Sequence, residues 1–265
     1  MHLVYPLCHP EPGRGISQRS EQSSVMVLSL SKVCRKVWNF AIDAIFPEFC
    51  LFCSREGYIL CPPCAGALPL QLFHGCPFCD RVSMNGITCD ICKKNTPLAG
   101  VFSFGLYSQP RLRELVIALK YHNKRDLAGI LGTRIASLLP ELVEGLPKPL
   151  ILTAVPLHPT RLKERGYNQS ELLARAIAES LGLPYVNLLQ RTRQTTPQVD
   201  IHGVKERLVN VRGAFTVNGQ MSHINSRIVL LTDDVVTTGA TLSACARVLK
   251  LAGTANVYGL TLARG

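Results

Sequence analysis

The run Val229-Leu-Leu-Thr-Asp-Asp-Val-Val-Thr-Thr-Gly-Ala-Thr241 decides how the chain is read. An apolar stretch, RIVLL (227–231), predicts a buried strand. Two carboxylates follow, Asp233 and Asp234, then a turn of small residues, then a helix over Thr241–Leu251 that stops before Gly253. Thr237, Thr238, Gly239, Ala240 and Thr241 gather backbone N–H groups and hydroxyls at a helix N-terminus, which is a site for a phosphate dianion. Gly239 allows the backbone to come close to its ligand. Asp233 and Asp234 stand at the carboxyl end of the strand, where ligands of open α/β sheets bind. Carboxylates accept hydrogen bonds, so they suit a ligand with vicinal hydroxyls. No Gly-Lys-Ser/Thr sequence follows, which excludes a Walker A loop.

Outward from this run, strand and helix patterns alternate. Strands are expected at 101–107, 150–157, 185–189, 213–217, 228–232 and 257–263, and helices at 111–121, 126–139, 169–181 and 241–251. That alternation predicts an α/β fold with a mainly parallel sheet flanked by helices. Residues 1–29 lack an apolar period and the pattern of a secretory signal, and read as a disordered tail. Met26 opens a better-patterned stretch and is an alternative start. Residues 30–48 read as an amphipathic helix, with Leu30, Val33, Val37, Ala41 and Ile45 near one face. Packing on its own domain is the plainer reading, and a basic membrane-surface helix is the other. No apolar run reaches the roughly 18 residues of a membrane-spanning helix.

Eleven cysteines are present, and eight of them form four C-x-x-C pairs: Cys50/Cys53, Cys61/Cys64, Cys76/Cys79 and Cys89/Cys92. Each pair sets two thiolates on one tight turn, and two pairs complete a tetrahedral zinc site. Eight thiolates close two such sites without an open coordination position, so the zinc is expected to be structural. Sequential and interleaved pairing both stay open. This usage implies a reducing cytoplasm rather than a secreted disulfide scaffold. The block over 49–97 is expected to be a double zinc ribbon, and 98–265 the α/β domain.

The chain carries 29 Lys+Arg against 18 Asp+Glu, a net charge of +11. Residues 1–99 hold +2 of it and residues 100–265 hold +9, so the C-terminal part seeks anions. Val155-Pro-Leu-His-Pro-Thr-Arg-Leu-Lys-Glu-Arg165 reads as a strand ending in a Pro-containing turn, with Arg161 first and Arg165 and Lys163 next as anion ligands. His158 reads equally as an acid–base group or as a structural histidine. Thr196, Gln198, Arg207 and Asn210 lie in a polar stretch expected to close over a ligand or to be an ordinary basic connection. Lys120 and Tyr121 end a helix, either facing a ligand or complementing the helix dipole. Arg111, Arg113, Lys124 and Arg125 add to a surface suited to single-stranded DNA.

The 13-residue run resembles the 5-phosphoribosyl pyrophosphate (PRPP) signature of type I phosphoribosyltransferases. Together with the cysteine pairs, ALKYHNK (118–124), VPLHPTRLKERGYNQSELLA (155–174), RTRQTTPQV (191–199) and RLVNVRGAF (207–215), it resembles the competence protein F (ComF) family, which includes the GntX-like proteins. The resemblance covers about residues 30–265. It implies a type I phosphoribosyltransferase fold, PRPP bound with Mg²⁺, and a cytoplasmic role in DNA uptake and natural transformation. Asp233, Asp234 and Arg161 would then be the catalytic residues, with Thr237–Thr241, Arg165 and Lys163 binding PRPP. Implied partners are single-stranded DNA and a helicase or other uptake component. Whether turnover occurs stays open. One reading is a transferase of unknown acceptor, and the alternative is a non-catalytic DNA-binding or adaptor module that uses the PRPP site as a sensor.

Overall fold

Short, near-continuous apolar runs build a sheet that is covered on both faces. The computed structural model describes residues 47–79, 81–121, 124–196, 201, 203–219 and 224–265. The expected tail and the amphipathic helix fall outside these, apart from residues 47–48. Strands β1 (Gly100–Ser103), β2 (Leu150–Ala154), β5 (Ile228–Val236) and β6 (Asn256–Arg264) pair in the order β1-β6-β5-β2, all parallel. A separate antiparallel ribbon joins β3 (Leu189–Arg191) to β4 (Phe215–Val217). Parallel strands need helical crossovers, and these cover the sheet and make its strands near-continuously apolar.

Phe102, Leu152, Leu230, Leu260 and Leu262 point to one face, where they meet α3 (Pro110–Tyr121), α4 (Asp126–Ala136) and α7 (Gln169–Leu181) through Leu115, Leu131 and Ile177. Val101, Ile151, Val229, Leu231 and Val257 point to the other face, where α9 (Ala240–Leu251) brings Leu242, Cys245 and Leu249. Helices α4 and α7 come close because Gly132 faces Ala176: an added Cβ would lie 2.4 Å from the alanine methyl. Helix α7 keeps its expected bounds. Asn168 caps it by accepting from the Ser170 N–H at 3.1 Å, and Gly182, left-handed at φ 63°, ends it.

Several boundaries differ from expectation. The strand expected at 228–232 runs on to Val236, because Asp233, Val235 and Val236 pair with Thr261, Ala263 and Arg264. The carboxylates are therefore strand residues. The strand expected at 101–107 stops at Ser103, and Leu106 makes only an isolated bridge to Arg264. The strand expected at 185–189 is shifted to 189–191 and leaves the parallel sheet, with Tyr185 keeping a single bridge to Leu152. The turn expected after Val155 is a helix, α6 (Pro159–Arg165), begun by Pro159 and ended by left-handed Gly166. Helices α5 (Pro140–Glu144) and α8 (Val204–Val211) were not expected; α8 is short, polar and amphipathic.

The cysteine segment holds α1 (Pro62–Gly66), a 3₁₀ turn at Met84–Gly86 and α2 (Asp90–Lys93). Cys50, Cys61 and Leu60 join the core on the α3–α4 side of the sheet, whereas Phe78 packs on the α9 side. Among the described residues, no helix is long and apolar enough to cross a membrane.

Candidate functional site

A cleft of about 340 Å³ opens at the carboxyl ends of the strands, where β5 hands over to α9. Its floor is Asp233 and Asp234. Asp234 is 4% exposed. Its Oδ2 accepts from Lys120 Nζ at 3.0 Å and from Gln169 Nε2 at 3.1 Å, and its Oδ1 accepts from the Val235 N–H at 2.7 Å. Oδ1 of Asp233 accepts from Ser170 Oγ and from the Asp234 N–H, each at 2.9 Å. A buried charge needs such partners.

Two adjacent carboxylates perturb each other. Burial pushes the Asp233 carboxyl up to about 7, and the Asp234 charge adds to it, while Lys120 and the Ser170 hydroxyl pull the other way. Its side chain is partly open to the cleft but enclosed by protein on its other sides, and the upward direction follows from both causes. Burial alone would lower the Lys120 ammonium. The carboxylates of Asp234 and Asp233 override it, and the pKa is raised.

The GYNQS run explains how this floor is held. Tyr167 donates its hydroxyl to the Leu119 carbonyl at 2.7 Å, tying the start of α7 to the end of α3. Asn168 caps α7 and donates to the Val155 carbonyl at 3.0 Å. Gln169 and Ser170 then each bond one carboxylate. Sequence reasoning named the stretch Val155–Gln169 for Arg161, Lys163 and Arg165 and missed Gln169 and Ser170; the Asn N-cap ahead of a helix was the available signal.

One end of the cleft is the turn Thr237–Thr241. Gly239 is left-handed at φ 73° and stands at the N-cap of α9, where it has no side chain to cap the helix. Thr238 Oγ1 reaches the Ala240 N–H only at 3.4 Å. The first turn of α9 therefore presents N–H groups to the cleft. Arg207 of α8 donates Nη1 to Thr237 Oγ1 at 3.0 Å and Nε to the Ile201 carbonyl at 2.9 Å.

The other wall is cationic. Arg161 and Arg165 of α6 line it, with Arg191 of β3. Arg165 donates to Gln169 Oε1, and its guanidinium lies 5.4 Å from the Tyr121 ring centre. Arg191 packs over Phe215 at 5.2 Å and donates to Thr195 Oγ1. Its Nε is buried without a partner. Burial lowers the Arg191 pKa, and the charge of Arg161 lowers it further. Lys163 is exposed on α6 and does not line the cleft. His158 Nδ1 accepts from the Thr160 N–H at 3.4 Å, capping α6. Asn210 donates to the Thr196 carbonyl at 2.9 Å, and Gln198 lies outside the described residues.

The cysteine pairing is sequential. Cys50, Cys53, Cys61 and Cys64 form one cluster and Cys76, Cys79, Cys89 and Cys92 the other, with the sulfurs of each within 4.8 Å of one another. Cys53 and Cys61 Sγ are 3.5 Å apart, and Cys79 and Cys89 Sγ 3.6 Å. A tetrahedron with metal–sulfur bonds of about 2.3 Å has edges of about 3.8 Å. The Cys61 N–H donates to Cys50 Sγ at 3.4 Å and the Cys89 N–H to Cys76 Sγ at 3.5 Å. Burial raises the Cys50 thiol, but backbone N–H groups of Cys61, Phe52 and Cys53 outweigh it and bring it down to about 6. Cys64 is pushed up to about 12 by its bond with Cys61, with burial adding. Four adjacent sulfurs cannot all shed protons unaided, and a bound dication resolves that conflict.

No family model matches the chain. DNA utilization protein YhgH of Salmonella typhi is 31% identical over 229 residues, covering 82% of this chain and 97% of that protein. Competence protein F of Haemophilus influenzae is 29% identical over 226 residues, covering 81% and 96%. Among solved structures, the allosteric regulatory enzyme of purine biosynthesis is 18% identical with a TM-score of 0.36, over 55% of this chain and 30% of that one. The Leishmania donovani hypoxanthine-guanine phosphoribosyl transferase is 16% identical with a TM-score of 0.32, over 52% and 71%. These structural likenesses are slight, and the fold rests on its own topology: a parallel sheet flanked by helices, with the cysteine clusters ahead of it. The alignment with the Salmonella protein spans nearly all of that protein at 31% identity, and the chain therefore belongs to the family of DNA utilization protein YhgH and competence protein F.

Proposed function

We propose that the cleft binds Mg²⁺·PRPP, and that each four-cysteine cluster holds a structural Zn²⁺. The observation that carries the reading is the joining of a phosphate loop to a buried carboxylate pair at one strand end. In this reading the 5-phosphate sits on the N-terminus of α9 within Thr237–Thr241. Asp233 and Asp234 accept hydrogen bonds from the ribose hydroxyls. Arg161 and Arg165 take the pyrophosphate, with Arg191 and its unpaired Nε beside them. Mg²⁺ would be held mainly by ligand oxygens, which is its habit.

In a transfer step the C1–pyrophosphate bond breaks, an acceptor nucleophile bonds to C1, and pyrophosphate leaves with the electron pair. Positive charge gathers on the ribose ring in that transition state. The carboxylate floor would stabilise it and the arginine wall the departing anion. A closed shell of four thiolates has no open position for chemistry, so the zinc ions would hold structure. The names of the relatives support a place in DNA uptake or use.

The test is calorimetric titration of Mg²⁺·PRPP into the zinc-loaded chain beside an Asp233→Ala/Asp234→Ala variant. Saturable binding by the native chain and its loss in the variant is the expected result. No binding by the native chain overturns the reading.

A further inference from the structure

We infer that the second cysteine cluster sets the shape of the phosphate loop through Phe78, which acts as a positioning residue; the inference rests on the PRPP reading of the cleft. Phe78 occupies the third place of the knuckle Cys76-Pro-Phe-Cys79, so two metal-ligating cysteines fix its backbone. Its ring stands against Gly239, the residue that turns β5 into α9. A Cβ added at Gly239 would lie 2.6 Å from Phe78 Cε1 and 3.5 Å from both Cδ1 and Cζ. Phe78 does not line the cleft. It backs the loop from behind, where it also packs on the core beneath α9.

A second tie runs beside it. Thr96 Oγ1, four residues beyond Cys92, is 3.1 Å from Ser243 Oγ in the first turn of α9. The helix end that would receive the phosphate is thus held from the metal side at two points. Gly239 has no side chain to fix its left-handed turn, and the Phe78 ring closes the space behind it. The first cluster makes a different connection: Phe52, at the same place in its own knuckle, lies under Arg111 at 5.2 Å. Filling of the second cluster is then a condition for anion binding in a cleft whose lining includes none of its cysteines.

The test uses the zinc-loaded full chain and three probes read by calorimetry: ribose 5-phosphate for the loop, Mg²⁺·pyrophosphate for the arginine wall, and Mg²⁺·PRPP for both. Phe78→Ala should weaken ribose 5-phosphate and PRPP about tenfold through misplacement of the loop, and leave pyrophosphate within about twofold. Zinc content should stay at two per chain. Gly239→Ala should cost affinity in the native background and distinctly less in the Phe78→Ala background, because the collision has been removed. If Phe78→Ala sheds metal, Phe78→Leu replaces it with the same expected split. Ribose 5-phosphate binding within twofold of native, or an equal loss across all three probes, overturns the inference while the PRPP reading stands. No ribose 5-phosphate or PRPP binding by the native chain overturns both.

Discussion

Asp233 and Asp234 lie on an inner strand and are tied to α3 and α7 by Lys120, Gln169 and Ser170, whereas the arginines of the wall stand on a short helix and a ribbon strand, partly in solvent. The two halves of the cleft also differ in what their charges do before any ligand arrives. The floor spends its charge internally, on a buried ion pair and a network of short bonds. The wall keeps like charges together, with Arg161 close enough to depress Arg191. Changes to the floor should therefore be felt as lost stability as well as lost binding, and changes to the wall as lost affinity alone.

The sharpest way to break this contrast is Lys120→Met. It strands the Asp234 carboxylate in a site 4% exposed, and removing one partner of a buried pair costs about 3–5 kcal/mol. Urea denaturation should show that loss, and a change below about 1 kcal/mol would mean the pair is solvated and the contrast false.

On the wall, Arg161→Gln should weaken Mg²⁺·PRPP about tenfold with stability within about 0.5 kcal/mol of native, more so at low salt. Lys163→Gln, two residues along the same helix but outside the cleft, should change affinity less than about twofold. Equal effects of the two in calorimetry would show that the wall acts by general charge rather than by placed ligands.

A subtler separation comes from pH. The Asp233 carboxyl is raised from 3.8 to about 7, so the folded chain holds this proton more tightly than the unfolded one. Its contribution to stability is complete below the unfolded value and is lost as pH rises through the folded one. Stability should fall across that window, and Asp233→Asn should flatten the fall. Affinity for Mg²⁺·PRPP should move the other way, rising to about pH 7 and levelling, because the ionised carboxylate is the better acceptor. Denaturant melts and titrations on one pH series read both slopes.

These differences match what could be read from sequence. The loop and the acid pair are contiguous over Asp233–Thr241, and local patterning exposes them. The strand ended too early in that reading because a carboxylate pair resembles the start of a turn, while backbone pairing with β6 decided otherwise. The partner of Asp234 is on α3, and only tertiary packing brings Lys120 there. Pro159 and Gly166 bracket α6 clearly enough that a helix was available to the reading, but the preceding Pro156 favoured a turn. Cluster pairing followed sequence order, which spacing left open because the seven-residue gap between Cys53 and Cys61 is short. The contact of Phe78 with Gly239 joins residues far apart in the chain and has no local signature.

The place of β6 carries a consequence for the making of the protein. It is the last strand in sequence, yet it lies between β1 and β5, and Ser103 Oγ meets Thr261 Oγ1 at 2.8 Å across a separation of 158 residues. During synthesis β2 and β5 can pair as they emerge, but β1 has no neighbouring strand until β6 is made. The nascent chain must carry the exposed edges of β1 and β5 until β6 is made, a topology that folds slowly and is open to aggregation on the way. Early capture of metal by the cysteine clusters, which are translated before the sheet, would give the waiting chain a fixed segment to fold against.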